Sequence, residues 1–258
     1  MKVGVIMGGI SSEREISLKS GNSIVEKIDK NKYEVMPIVI DNKEDIVNKV
    51  KDIDFALLAL HGKFGEDGTV QSVLQTLDIP YSGCGPISSG LCMDKDFTKR
   101  ILKANDVRTA RWINVSSVEE IDYDKIEEMG YPVFVKPTNG GSSVATFKIK
   151  NKEDIQAAVE EGLKWDTEVM IEEFVEGDEI TCPVFDGKMW PVIAIKPKSD
   201  FFDYTQKYAA DGADEIVIEL EEELHKEVEK MALETYKALK CQVYARVEIG
   251  RASCRERV

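Results

Sequence analysis

Residues 133–147 read "VFVKPTNGGSSVATF": an apolar strand runs into Lys136 and Pro137, then through two glycines to Ser142 and Ser143. Glycines leave backbone N–H groups open to phosphate oxygens, hydroxyls add donors, and a lysine at the strand end brings charge to the same point. A surface hairpin with a solvated lysine has the same composition, and the loop alone does not separate the two. Residues 169–180, "VMIEEFVEGDEI", form an apolar strand interrupted by Glu172, Glu173, Glu176 and Glu179. Acids placed there can accept hydrogen bonds from an adenine edge and ribose hydroxyls, with Phe174 and Val175 packing on the ring; one or two of them would also suit a solvated strand edge. Nearer the start, Glu13 opens a helix as Glu-Arg-Glu, and His61 ends an apolar strand. The G-x-G-x-x-G spacing of a dinucleotide site is absent, and acids at a helix N-terminus would repel such an anion.

These residues need elements to hold them. Val3–Met7, 33–40 and 54–60 are short, nearly continuous apolar strands, alternating with a helix that carries Ile24, Val25 and Ile28 and with helices at 43–51 and 69–77. That pattern predicts a parallel sheet covered on both faces, a Rossmann-like half with ligand loops at the carboxyl ends of its strands. Ser12 and Glu15 have the spacing of a capping box for the first helix. From Asp94 the rhythm changes: a helix to about Asn105, strands at 131–136 and 144–149 joined by the glycine-rich loop as an antiparallel flap, a helix at 152–165 and a strand at 168–175. A third section has strands at 179–185 and 189–196 around an Asp186-Gly187 hairpin turn, a polar aromatic loop at 198–214, a helix at 220–239 and the strand "QVYARVEI" at 242–249. The fold class expected is α/β joined to α+β.

Composition narrows the class. A chain of 258 residues with 43% apolar residues is long enough for two or three domains with real cores. No apolar run approaches the length of a membrane span. The net charge of −14 argues against a nucleic-acid partner, whose phosphates most of the surface would repel. Five cysteines without a C-x-x-C pair indicate neither a disulfide framework nor a zinc site, so the expected compartment is the cytoplasm.

Taken in order, "GGISSEREISLKSG" (8–21), "ALHGKFGEDGTVQSVLQTLDIPYSGCG" (59–85), "MDKDFTK" (93–99), "VKPTNGGSSV" (135–144) and "FFDYTQKYAADGA" (201–213) resemble the D-alanine–D-alanine ligase family of the ATP-grasp superfamily. The resemblance runs from residue 3 to about 249. It implies a Rossmann-like substrate domain at 1–85, a central ATP-grasp subdomain with the phosphate flap at 86–176, and a C-terminal ATP-grasp subdomain at 177–249 that lacks its last elements. It also implies ATP-dependent joining of two D-alanines through an acylphosphate, with Mg2+ or Mn2+, for peptidoglycan precursors. A homodimer acting on small molecules follows from the same likeness.

Residue by residue, the resemblance gives Glu13 to the ammonium of the first D-alanine and His61 to the neighbourhood of the reacting carboxylate. Lys95, Lys136 and Lys207 neutralise phosphates, with Ser143 in the flap. Glu172, Phe174, Val175 and Glu179 hold adenine and ribose. Ser142 and Tyr208 form a hydrogen-bonded set with Glu13, Arg246 stabilises the tetrahedral oxyanion, and Glu248 is the first acidic metal ligand. There are departures. Ala145 stands where the family usually has glycine, which would stiffen the flap, and Glu248 stands where aspartate is common. After "ARVEI" the family's second acid, its asparagine and a glycine-rich helix start do not follow; residues 250–258, "GRASCRERV", read as an artefactual tail that continues no central strand. A D-Ala–D-Ser ligase, or a non-catalytic nucleotide- or amino-acid-binding protein, are the alternatives.

Overall fold

The computed structural model describes residues 1–141, 144–197, 213–252 and 255–257. The chain divides into two compact units: Met1–Met93 joined by Cys241–Val243, and Asp94–Lys240 with the residues from Tyr244 onward.

The first unit alternates β1 (Lys2–Gly8), α1 (Arg14–Lys27), β2 (Glu34–Ile40), α2 (Asp45–Lys49), β3 (Phe55–Leu58), α3 (Thr69–Thr76) and α4 (Pro86–Met93). Its sheet has the order β2-β1-β3 and is parallel throughout, with Val3 opposite Val35 and Phe55. The strands are apolar on both sides because both faces are covered. Val5, Met7 and Ala59 pack against Leu18, Ile24 and Val25 on the α1 side. Ile6, Ile38 and Ile40 pack with Ile46 of α2, Val50 just after it, and Val70 and Leu74 of α3 on the other. The expected capping box does not form: α1 begins at Arg14, Glu13 occupies the cap position, and no side chain caps the helix. Backbone bonds do the work instead, with Arg14 N–H donating to Ser11 O and Ser17 N–H to Glu13 O.

The second unit continues with α5 (Lys95–Ala104), β4 (Trp112–Val115), α6 (Tyr123–Met129), β5 (Val133–Pro137), β6 (Phe147–Ile149), α7 (Ile155–Gly162), β7 (Val169–Glu173), β8 (Asp178–Phe185), β9 (Lys188–Met189), β10 (Ile193–Pro197), β11 (Ala213–Val217), α8 (Glu222–Ala238), β12 (Tyr244–Ala252) and β13 (Arg255–Arg257). It has two antiparallel sheets. One is ordered β4-β7-β5-β6 and buries Val133, Val135, Val169 and Ile171 against Ile126 of α6 and Ile155 and Val159 of α7. The other is ordered β11-β10-β8-β12-β13, with β9 paired to β8, and buries Ile180, Cys182, Val184, Val247 and Ile249 against Val228, Met231 and Ala232 of α8.

Several expectations are corrected in this unit. The strand foreseen at 189–196 is two pieces, since Pro191 has no N–H to give a continuous ladder. The β6 strand starts at Phe147 rather than 144, and the helix at 152–165 is a 3-10 turn followed by the shorter α7. Part of the 198–214 loop is ladder: β11 begins at Ala213 and pairs with β10. The Asp186-Gly187 turn is as read, with φ of 48° and 71° matching a type I′ hairpin. The end of the chain differs most. β12 does not stop at Ile249 but pairs with β8 as far as Arg251 opposite Asp178, and then with β13. Ladder bonds are made by the main chain, so a run without apolar periodicity can extend a strand whose register is already set.

Candidate active site

The four-stranded sheet has a polar face opposite its core. Trp112 of β4 stands opposite Glu172 of β7, Glu172 opposite Phe134 of β5, and Phe134 opposite Lys148 of β6. Successive strand residues alternate faces, so Lys136, two residues after Phe134, lies on this face too. One row across four strands thus carries an aromatic, an acid, an aromatic and a base, with Lys136 diagonal to the acid.

Helix α5 supplies the rest. Asp94 caps it, accepting from the N–H of Phe97 at 2.9 Å. Lys95 and Lys99 are four residues apart and share one helix face. Lys136 Nζ sits 2.5 Å from Glu172 Oε2, and Lys99 Nζ sits 2.5 Å from Oε1. Lys99 also donates to Thr109 Oγ1 at 2.8 Å and to the Ala110 carbonyl at 3.0 Å, and lies 5.1 Å from the Trp112 ring centroid. Asp96, between the two lysines, accepts from Trp112 Nε1 at 2.8 Å and Arg100 Nε at 2.7 Å. Burial alone would push the Glu172 carboxyl up, but Lys136 and Lys99 outweigh it and hold it at about 2. One carboxylate therefore faces two ammonium groups.

A third ammonium is close by. Lys95 Nζ donates to the carbonyls of Thr138 at 3.1 Å, Pro137 at 3.4 Å and Gly140, at the base of the glycine-rich loop. Burial, then the neighbouring Lys136, pull its pKa down to about 8. The loop base is braced from the side: Thr138 Oγ1 donates to Asn114 Oδ1 at 2.6 Å, and the Asn139 N–H to Asp166 Oδ2 at 2.6 Å. Ser142 and Ser143 lie outside the described residues, as do Lys207 and Tyr208. Beyond the serines, Ala145 has φ of 53°, in the left-handed region where glycine is at ease. Relieving that strain outweighs the extra freedom glycine gives the unfolded chain. Ala145→Gly is therefore expected to raise stability by about 0.5 kcal/mol, seen as a higher urea midpoint at unchanged slope.

The acids of 169–180 separate into different roles. Glu173 is buried away from the lysines, where Arg111 N–H and Nε hold it at 2.8 and 2.6 Å while the same guanidinium caps the Glu128 and Met129 carbonyls of α6. Glu176 is exposed. Phe174 leaves the sheet, meets Phe134 edge-on at 5.7 Å and has Lys148 Nζ 3.7 Å from its ring centroid; Val175 follows, half-buried. Glu179 lies in the other sheet, opposite Ile195 and Gly250. On that sheet face too are Arg246 and Glu248 of β12, 3.7 Å apart, while Val247 and Ile249 point into the core. Thr181 stands opposite Glu248, and its Oγ1 is buried with no hydrogen-bond partner among the described residues.

In the first unit Glu13 and His61 come together at the carboxyl ends of β1 and β3. Glu13 is buried, and its N–H donates to Ser11 Oγ, whose hydroxyl donates to the His61 carbonyl at 2.7 Å. Gly62, with φ of 71°, lets that backbone approach: a Cβ there would sit 2.5 Å from Glu13 Oε2. The His61 ring is 3.0 Å from Ser20 Oγ through Nε2.

Sequence reasoning missed Lys99, Asp96 and Trp112. A lysine on an amphipathic helix reads as solvated, yet Lys99 is 6% exposed. The available signal was its i, i+4 spacing from Lys95 on one face.

The chain is similar to known proteins in both sequence and fold. Residues 2–52 and 43–84 match the family described as D-ala D-ala ligase N-terminus, and residues 101–253 that described as D-ala D-ala ligase C-terminus. A D-alanine--D-alanine ligase of Clostridium beijerinckii is 72% identical over 249 residues, covering 96% of this chain and 83% of the relative. The crystal structure of a D-alanine--D-alanine ligase from Bacillus anthracis superposes with a TM-score of 0.91 at 48% identity, over all of this chain and 85% of that one. The Bacillus anthracis enzyme complexed with ATP gives 0.90 at 45%, over all of this chain and 84% of that one. With both halves matched in order and the fold shared from end to end, the chain belongs to the D-alanine–D-alanine ligase family.

Proposed function

We propose that this chain binds ATP against the polar face of the four-stranded sheet, as the nucleotide with which its family joins two D-alanines. The observation that carries this reading is the cluster of Lys95, Lys99 and Lys136 around the single carboxylate of Glu172. One buried and two half-buried ammonium groups gathered beside the Glu172 carboxylate concentrate positive charge there, and partly desolvated charge of that kind favours a polyanion. Lys136 and Lys95 contact phosphates, and Lys207, Ser142 and Ser143 are further phosphate-binding candidates. Phe174 and Val175 pack on adenine, and Glu179 takes the ribose. Glu172 keeps acceptor sites free for the adenine amine while it orients Lys136.

In the reaction the carboxylate of the first D-alanine attacks the γ-phosphorus and ADP leaves. The amine of the second attacks the resulting acyl carbon, loses a proton, and phosphate leaves. Glu13 holds the first ammonium, with His61 beside the carboxylate. Arg246 stabilises the oxyanion. A hard cation, Mg2+ or Mn2+, takes oxygen ligands and keeps waters and substrate phosphates among them. Glu248, opposite Thr181 whose buried hydroxyl has no partner among the described residues, fits as one carboxylate donor for it. Bound there, it would neutralise charge on the transferring phosphoryl group. The reading goes with a cytoplasmic homodimer working on small molecules.

Two polypeptides separate binding from chemistry. The 258-residue chain is expected to bind ATP by calorimetry. A version extended over the remaining length of the relatives is expected to form D-alanyl-D-alanine and release phosphate when given D-alanine and magnesium. Absence of ATP binding in both would sink the reading, and preferred use of D-serine as the second substrate would move it to a D-Ala–D-Ser ligase. Lys136→Ala is expected to weaken ATP binding several-fold in either.

A further inference from the structure

We propose that Cys92 and Cys241 are a redox-responsive thiol pair that closes to a reversible intramolecular disulfide. Cys84, Ser88 and Cys92 are spaced four residues apart, which aligns them along one side of α4 and the turn leading into it. Cys241 arrives from the far end of the chain and is held against them within the first unit. Its Sγ lies 3.9 Å from Cys92 Sγ and accepts from Ser88 Oγ at 3.5 Å. Cys84 also hydrogen-bonds Cys241 and is tied to the neighbouring backbone, donating to the Gln242 carbonyl at 3.3 Å and accepting from its N–H at 3.4 Å.

The segment carrying Cys241 is tightly specified. Lys240 and Val243, on either side of Cys241 and Gln242, have φ of 53° and 56°. A β-branched residue in the left-handed region persists only where the surroundings hold it there. Gly85 packs under the same segment, where a Cβ would meet Gln242 Oε1 at 3.4 Å. Cys241 is thereby presented to Cys92 by structure on both sides.

Cys92 is exposed and Cys241 half-buried, the arrangement of an attacking and a resolving thiol. The hydrogen bond from Cys241 holds the Cys92 thiol below its ordinary pKa, whereas that to Cys241 and burial push Cys84 up. With a hydroperoxide, the Cys92 thiolate attacks the peroxide oxygen; a sulfenic acid forms and the alkoxide leaves, taking a proton to become alcohol or water. The Cys241 thiol then attacks that sulfur, the S–S bond forms and water leaves, so two electrons pass from the thiols to the peroxide. A small-molecule disulfide would give the same product through a mixed disulfide. Closing 3.9 Å to a bonded 2.03–2.05 Å requires roughly 2 Å of travel, within reach of side-chain rotation at the end of a helix.

The test uses the full chain, treated under native conditions with hydrogen peroxide or, separately, oxidised glutathione, then alkylated in denaturant. The expected result is a loss of two hydrogens by intact mass, two fewer alkylated thiols, and a Cys92–Cys241 peptide in a non-reducing digest, all reversed by dithiothreitol. Cys84→Ser should keep the link, and Cys92→Ser and Cys241→Ser should each abolish it. A link through Cys84, a link only between chains, or no loss of two hydrogens in the unsubstituted protein would each overturn the proposal.

Discussion

Glu172→Gln is expected to destabilise the second unit by about 3–5 kcal/mol, because it leaves Lys99 and Lys136 with no opposing charge between them. For a unit of this size the melting temperature falls by roughly 6–20 °C. The pair is not a surface one: the Glu172 side chain is 13% exposed and the Lys99 side chain only 7%, so solvent screens little of the loss. The same carboxylate sets an acid limit. Its pKa in the fold, about 2, lies below the ordinary 4.5. A depressed carboxylate contributes stability that is fully present above the unfolded value and is lost as pH falls through the folded one. The wild-type chain should therefore lose stability between pH 4.5 and 2 more steeply than Glu172→Gln does. Urea unfolding of both proteins at pH 7 and pH 3 measures this. A difference at pH 7 below about 1 kcal/mol would mean that the lysines find other partners at little cost.

Lys95→Met should weaken ATP binding about ten- to a hundred-fold, the loss expected for one charge-assisted contact. Stability should change by less than about 1 kcal/mol, since the lost bonds to the Pro137, Thr138 and Gly140 carbonyls are offset by removing a desolvated charge. The ammonium is already poised near pH 8, well below the ordinary 10.5. A depressed lysine costs the fold most below pH 8, and that cost disappears as pH rises from 8 towards 10.5. A bound phosphate reverses the imbalance by favouring the charged form. At pH 8 nucleotide binding should therefore take up protons, and affinity should fall above that pH. Calorimetry in buffers of differing ionisation heat reads the uptake directly, and Lys95→Met should abolish it. Equal affinity in wild type and variant would leave Lys95 as a clip for the loop and nothing more.

The expectations that held are those in which residue type and element agree. The apolar strand that carries Lys136 forms as Val133–Pro137, and Asp186-Gly187 makes the turn its dipeptide demands. Glu172 was legible as an acid in an apolar strand, but not that two lysines engage it, because sequence alone does not reveal which helix covers which sheet face. Glu173 shows the converse. It is adjacent to Glu172 and chemically identical, yet strand alternation turns it towards Arg111, where it fastens α6. β4 was missed because "WINV" is four residues long and offers too little alternation to read. Ser12 and Glu15 had the right spacing for a cap, but the helix starts two residues after Ser12, where backbone bonds suffice.

The chain completes its first unit with a segment from near its other end, Cys241–Val243. During synthesis the ribosome releases Met93 roughly 150 residues before that segment, an interval on the order of ten seconds. Over that interval the parallel sheet can already form from local βαβ contacts, while the side of α4 that carries Ser88 and Cys92 waits for its cover. Closure of the unit then belongs to the slowest class of folding events, the joining of segments far apart in sequence. The N-terminal unit is thus begun first and sealed only after most of the second unit has been made.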